Sequence, residues 1–146
     1  MTSVGDICKV LGQIAPVCLA AEWDNVGLLV GDRKSGVTHI MTCLTVTPET
    51  VAEAIDKQAG LIVTHHPFPF SPVKTITTDT NIGTMLWQLA QAGISVYSAH
   101  TAFDSAAVGI NQQIAEALNL KDIKPLEPLD AAQSTATEGL GTGRCG

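Results

Sequence analysis

The sequence predicts an α/β domain with a mainly parallel sheet and flanking helices. Its 146 residues are 45% hydrophobic and 15% charged, which suits one compact core. Short segments rich in β-favouring residues alternate with segments of helical periodicity, and glycine or proline stands where the elements would end. An alternation of strand and helix favours parallel strands, because each helix serves as the crossover between two neighbours.

The first predicted element is a helix over Val4–Ile14, where apolar residues recur at helical spacing until Pro16 stops it. Polar, turn-forming residues then lead into a short apolar strand that Gly31 closes. A second strand is predicted within 37–46, where β-favouring residues cluster.

The next helix has a clear start signal, with Thr47 as the N-cap and Pro48 at the first helical position. Helical periodicity over 51–59 continues it as far as Gly60. The apolar run Leu61–Thr64 follows directly and predicts a buried strand that opens into a proline-rich loop.

Three more elements complete the predicted domain. A helix over 81–92 ends at Gly93, a strand covers 94–98, and a last helix covers 109–118. We therefore expect an α/β domain at 1–124.

The remaining residues, 125–146, predict a Pro/Gly-rich, linker-like tail that is truncated before a second half. Gly141, Gly143 and Gly146 match G-x-G-x-x-G, but no clear strand precedes them and no helix follows them. This context argues against a dinucleotide-binding loop.

Composition disfavours several classes of protein. Eight Lys and Arg against fourteen Asp and Glu give a net charge of −6, which argues against nucleic acid as a partner. Neither a run long enough to span a bilayer nor a secretory leader is evident, so we expect a cytoplasmic protein without a membrane partner. The four cysteines form no C-x-x-C pair, and we expect free thiols.

Four side chains with metal-binding chemistry follow two of the predicted parallel strands. His65 and His66 come after Leu61–Thr64, and His100 and Asp104 come after the strand at 94–98. Ligands of open α/β sheets bind at the carboxyl ends of the strands. Imidazole and carboxylate together suit Zn, Fe, Mn, Co or Ni better than Ca or Mg, so these four residues predict an open metal site.

The alternative is that each histidine is satisfied by a local hydrogen bond. His39, which begins a strand, is assigned no role.

A second unusual cluster lies at 22–28, Glu-Trp-Asp-Asn-Val-Gly-Leu. It could be a turn in which Asp24 and Asn25 bond their own backbone. Alternatively, Glu22 or Asp24 could accept a hydrogen bond from a ligating histidine and orient its ring. The hydroxyls of Thr64, Ser98 and Thr101 could donate to a substrate or could only satisfy the backbone.

Three ordered motifs resemble those of the Nif-three-like dinuclear metal-binding family, often labelled GTP cyclohydrolase I type 2 homologues. They are Glu-Trp-Asp-Asn-x-Gly-Leu-Leu-Val-Gly at 22–31, Leu-Ile-Val-Thr-His-His-Pro at 61–67, and Ser-Ala-His-Thr-x-x-Asp at 98–104 with Gly-Ile-Asn at 109–111. The resemblance covers residues 1–146 and corresponds to the N-terminal half of such proteins.

This resemblance implies the first lobe of a two-lobed α/β fold that assembles into a toroidal hexamer. It also implies a two-metal site in which His65 and Asp104 serve one ion and His66 the other, with His100 as a further ligand.

Two departures bear on the metal count. A further His and Glu of the family lie in a second half beyond this chain, and Thr45 stands where the family often has Asp. We therefore expect one or two divalent ions per chain.

Two functions are consistent with these residues. One is a metal-dependent hydrolase that uses a metal-activated water on a nucleotide or another phosphorylated or amide-like small molecule. The other is a non-catalytic, metal-binding oligomer with an interaction or regulatory role.

Overall fold

The computed structural model describes residues 1–129 and 139–146 of the chain. Its helices are α1 (Val4–Ile14), α2 (Pro48–Asp56), α3 (Asn81–Ala92), α4 (His100–Ser105) and α5 (Ile110–Ala117), and its strands are β1 (Gly27–Val30), β2 (Ile40–Cys43), β3 (Leu61–Thr64), β4 (Ser95–Ser98), β5 (Glu127–Pro128) and β6 (Gly141–Thr142).

Strands β1 to β4 form one sheet in the order β1-β4-β3-β2. Strands β2, β3 and β4 are parallel, with α2 and α3 as the crossovers, which confirms the predicted mainly parallel α/β sheet. Strand β1 is an outer strand of the sheet and lies antiparallel to β4. The sequence pattern did not predict this direction.

The register of the sheet aligns the strand ends at one edge. Cys43 pairs with Thr64, Thr64 pairs with Ser98, and Ser98 pairs with Gly27. The three parallel strands therefore end, and β1 begins, along a single line. Residues that directly follow β2, β3 and β4 meet the residues that directly precede β1.

Helices cover both faces of the sheet. On one face, Val51 of α2 and Leu89 of α3 pack in a cluster with Ile62 and Val96 of the sheet. On the other face, α1 packs in a second cluster with Leu28 of β1, Leu61 of β3 and Tyr97 of β4. Burial on both faces explains why β3, with the sequence Leu-Ile-Val-Thr, is apolar up to its last residue rather than alternating.

The predicted helix ends are largely confirmed. Thr47 caps α2 by accepting a hydrogen bond from the Thr50 amide, with Pro48 at the first helical position. Gly93 ends α3 in a left-handed conformation at φ +68°. Helix α2 ends at Asp56 rather than at the predicted residue 59, and β2 is shorter than the predicted segment.

The described parts of the tail pack against the domain. Strand β5 pairs antiparallel with β6, and Lys124 forms an isolated bridge with Cys145. Residues 130–138, which include much of the predicted linker, lie outside the described residues. The boundary between a domain at 1–124 and a tail at 125–146 remains a prediction.

Arg144 fastens the chain end to the helices that follow β4. Its guanidinium donates hydrogen bonds to the carbonyls of Ala106, Gly139, Gly141 and Gly143 over 2.6–3.0 Å. A fork of five donors suits several carbonyls at once. Three carbonyls of the glycine-rich end therefore accept hydrogen bonds from Arg144.

Within the described ranges, no helix is both long and apolar enough to cross a membrane. All four cysteines lie in those ranges, and they are free thiols as predicted.

Gly31 lets β1 approach β4 closely. Its φ is +115°, and a Cβ there would lie 2.1 Å from Ser95 Oγ and 2.8 Å from Ser95 Cα. We expect Gly31→Ala to lower the free energy of unfolding by about 1–3 kcal/mol, measured by urea unfolding followed by circular dichroism.

Gly12→Ala in α1 is the matched control, because a Cβ there meets no described heavy atom within 4 Å. It should raise the free energy of unfolding by up to about 1 kcal/mol. Equal stability of the Gly31 variant and the parent would contradict the close approach.

Candidate metal centre

The two adjacent histidines are held by an extension of the parallel ladder beyond β3. The His65 amide donates to the Cys43 carbonyl at 3.3 Å and the His66 amide to the Leu44 carbonyl at 2.9 Å. On the other side, Ser98 Oγ donates to the His65 carbonyl at 2.6 Å. The backbone that carries both rings is thus bonded to both neighbouring chain segments.

The rings of His65, His66 and His100 converge on one point. Ring centroids are 5.2 Å apart for His65 and His66, 5.1 Å for His65 and His100, and 5.8 Å for His66 and His100. One ring nitrogen from each residue lies within 4.8 Å of the others, so the three could hold a metal ion together. Rings from adjacent residues reach one site because the chain leaves the regular strand at His65.

Asp104 lies beside this histidine cluster, one helical turn after His100 in α4. Its Oδ1 is 3.9 Å from His65 Nε2, and each side chain is 27% exposed. Asn111 Nδ2 donates to the Asp104 carbonyl at 3.2 Å and ties α5 to this turn. The group of side chains that could hold an ion together comprises the three histidines without Asp104, whose role as a ligand remains a prediction.

Asp24 orients the third imidazole. Its side chain is fully buried, and both carboxylate oxygens are 2.9 Å from His100 Nδ1. The carboxylate also accepts hydrogen bonds from the amide and the hydroxyl of Thr101. Because an ionised carboxylate only accepts, Nδ1 carries the proton of a neutral His100 and Nε2 keeps the lone pair that can ligate a metal.

Of the two acidic residues considered in the 22–28 segment, Asp24 is the one that contacts a histidine. Glu22 is exposed. The hydroxyls flanking the histidines bond within the protein: Thr64 to the carbonyls of Leu44 and His66, Ser98 to that of His65, and Thr101 to Asp24. They position the site and are not left as free donors to a substrate.

His100 itself has an unusual backbone, with φ at +28°. A non-glycine residue with positive φ is uncommon and costs free energy that the surroundings must offset. The hydrogen bonds from His100 and Thr101 to Asp24 supply such an offset at this position.

The charges at the site favour cation binding. Burial of Asp24 tends to raise its pKa, but hydrogen bonds from Thr101 and His100 outweigh it and hold the pKa below its usual range. Burial lowers the pKa of His65, the Asp104 carboxylate opposes this, and His100 and His66 add to the lowering, so the pKa lies below its usual value. At neutral pH the Asp24 carboxylate is therefore ionised. The His65 imidazole is neutral, and the neutral form of imidazole ligates a metal.

Thr45, which stands where the resembled family often has Asp, contacts the site through His66. Its Oγ1 is 2.7 Å from His66 Nδ1, which leaves Nε2 of His66 to face the cluster. The sequence signal for this contact was the position of Thr45, which follows β2 at the edge where the other two parallel strands end. A hydroxyl at this position contacts the ring without adding a negative charge.

His39 lies outside the histidine cluster. It precedes β2 at the opposite edge of the sheet, is exposed, and places Nδ1 3.1 Å from Thr38 Oγ1.

Trp23 and Phe70 form an exposed aromatic pair beside His100. The Trp23 ring meets Phe70 edge-on at 6.4 Å and His100 at 6.2 Å between centroids. Asn25 Nδ2 donates to the Pro69 carbonyl at 2.8 Å and joins the two loops that carry these rings. The sequence contained no signal for this contact, because the loops are 44 residues apart.

Replacing Asp24 should destabilise the protein even without metal. Asp24→Asn places an amide donor among groups that donate to the carboxylate, and we expect the free energy of unfolding to fall by about 1–3 kcal/mol. Urea unfolding at pH 7 with EDTA present would measure this.

Asp56→Asn is the matched control because Asp56 is exposed at the end of α2. It should change the free energy of unfolding by no more than about 0.5 kcal/mol. Equal effects of the two substitutions would mean that the Asp24 contacts contribute nothing specific.

Comparison with known proteins agrees with this architecture. Residues 2–146 match the family model described as Duf34/NIF3 (NGG1p interacting factor 3). A GTP cyclohydrolase 1 type 2 homolog of Clostridium acetobutylicum is 39% identical over 141 residues, which are 97% of this chain and 51% of that protein. A protein of the same description from Clostridium perfringens is 42% identical over 130 residues, covering 88% of this chain and 50% of that protein.

Among solved structures, a Bacillus cereus protein related to NIF3 superposes with a TM-score of 0.81 at 37% identity. The match covers 88% of this chain and 35% of that one. The chain thus spans about half the length of the two clostridial relatives.

Proposed function

Because this chain belongs to the Duf34/NIF3 family, we propose that it is a divalent-metal-binding protein that acts as a metal-dependent hydrolase. The observation that carries the proposal is the convergence of three imidazole nitrogens within 4.8 Å at the carboxyl edge of the sheet. His65, His66, His100 and Asp104 are the proposed ligands. We place the protein in the cytoplasm.

The donors fit a transition metal. Neutral imidazole and carboxylate suit Zn, Fe, Mn, Co or Ni, and the described cluster contains no cysteine of the kind that closes structural zinc sites. Asp24 behind His100 repeats the carboxylate–histidine arrangement that fixes ring orientation at metal sites. One or two ions per chain are proposed, with His65 and Asp104 serving one and His66 the other.

A bound divalent ion would supply the Lewis acidity that makes water a nucleophile near neutral pH. The protein's own groups would hold the ligating side chains in place. Asp24 keeps the proton of His100 on Nδ1, Thr45 contacts the ring of His66, and the Asp104 carboxyl group lies 3.9 Å from His65 Nε2. The proposed substrates are a nucleotide or another phosphorylated or amide-like small molecule.

A second candidate function is non-catalytic. The description of the matching family names an interacting factor. In this alternative the metal organises a homo-oligomer, proposed as a hexameric ring, with an interaction or regulatory role.

Metal content tests the site directly. Protein purified without a histidine tag should carry one or two equivalents of metal per chain by plasma mass spectrometry. The double variant His65→Ala/His100→Ala should lose them, because it removes two of the three converging imidazoles.

His39→Ala is the matched control, since it removes an exposed histidine at the opposite edge of the sheet. It should keep the metal of the parent. Equal metal content in all three proteins would show that the cluster is not the binding site.

Turnover separates the two functions. With Mn, Zn or Co present, hydrolysis of a panel containing GTP, a phosphodiester and an amide should fall at least about 100-fold in the double variant, because the metal is the proposed source of the nucleophile. Metal binding and a stable ring without turnover of any substrate would favour the non-catalytic alternative. Turnover that survives in the double variant would eliminate the metal mechanism.

A further inference from the structure

A cavity of about 310 Å³ opens beside the histidine cluster, with His65 on its wall. One wall is the face of β2 and β3, and the other is formed by α4, α5 and the residue before α4. Its lining includes Thr42, Val63, His65, Ala99, Phe103 and Ile110.

The cavity exists because α1 covers only part of its face of the sheet. Helix α1 packs in the cluster that buries Leu61 and Tyr97, on β3 and β4. The corresponding face of β2 is left open, with Thr42 exposed and Ile40 50% exposed. Phe103 packs against the buried cluster of Ala15, Leu19, Ala102 and Ala106, which fixes the wall opposite Thr42 and Val63.

The walls of the cavity are almost entirely apolar. Thr64 also lines the cavity, but its hydroxyl already donates to the carbonyls of Leu44 and His66. Within the described ranges, neither lysine nor arginine lines the cavity. A phosphate chain would therefore find no cation here, whereas an apolar group would find matching walls.

We propose that the ligand of this site carries an apolar group about the size of an aromatic ring, which this cavity holds while the ligand's polar group lies at the histidine cluster. A cavity of roughly 150 Å³ is enough for benzene in another protein. The proposal rests on the proposed function, because it names the substrate class of the same metal centre. It places the charged phosphates of any nucleotide substrate outside this cavity.

The first test uses metal-free protein, so it does not depend on the metal. Benzyl alcohol should shift the methyl NMR signals of Val63, Leu44 and Ile110 saturably, and its ring protons should show NOEs to those methyl groups. Thr42→Trp, which fills the cavity, should abolish the shifts. Ile40→Trp is the control, because it adds the same ring two residues earlier on the same face, outside the cavity lining.

Absence of shifts in the parent, or shifts that persist in Thr42→Trp without NOEs to these methyl groups, would overturn the proposal. So would methyl shifts that appear with rising protein concentration alone, since a second copy of the chain would then cover the cavity. The NOEs locate the probe in the parent protein even if a tryptophan variant does not fold.

The second test joins the cavity to the metal centre. Zinc uptake is measured first, and zinc-loaded protein is then titrated with benzohydroxamate and acetohydroxamate, which share a metal-binding group. The parent and Ile40→Trp should bind benzohydroxamate at least about tenfold more tightly than acetohydroxamate. This preference should disappear in Thr42→Trp.

The outcomes separate the two proposals. Zinc uptake without a preference for the phenyl group overturns the apolar-ligand proposal and leaves the metal centre in place. Failure to take up zinc, iron, manganese, cobalt or nickel overturns the proposed function, and the benzyl alcohol titration then decides whether the cavity binds apolar groups.

Discussion

The buried contact between Asp24 and the pair His100–Thr101 organises the rest of the site. It joins segments 76 residues apart, and its donors are a ring nitrogen, a backbone amide and a hydroxyl. A fully buried carboxylate is costly unless its hydrogen bonds are made, so the loop before β1 and the start of α4 stabilise each other. The same contact selects the His100 nitrogen that can bind a metal.

The contact is possible because of strand direction. Parallel β2, β3 and β4 deliver Thr45, His65 and His100 to one edge, since their last residues share one register. Antiparallel β1 begins at that edge and brings the Asp24 loop from the other direction. The site therefore combines groups that leave the sheet with groups that enter it, and reversal of β1 would separate Asp24 from the imidazole that it orients.

His65 belongs both to the polar histidine cluster and to the lining of the apolar cavity. Its ring belongs to the histidine cluster, lies 3.9 Å from the Asp104 carboxylate, and lines the apolar cavity. A polar centre that opens into a hydrocarbon wall is the common form of a small-molecule site, in which few polar groups fix orientation and apolar walls supply affinity. The proposed hydrolase chemistry and the proposed apolar ligand group therefore meet at one side chain.

The sequence by itself determined helices α1, α2, α3 and α5 and the parallel strands, because periodicity, the Thr47–Pro48 start and Gly93 act within a few residues of each other. It did not predict α4, which is six residues long. It also predicted that His65, His66 and His100 share an edge, since parallel strands must end together. The direction of β1, the choice of Asp24 over Glu22, the contact of Thr45 with His66 and the cavity beside β2 were decided only by the tertiary structure. Each depends on which distant segments pack together, and no local pattern of residues encodes that.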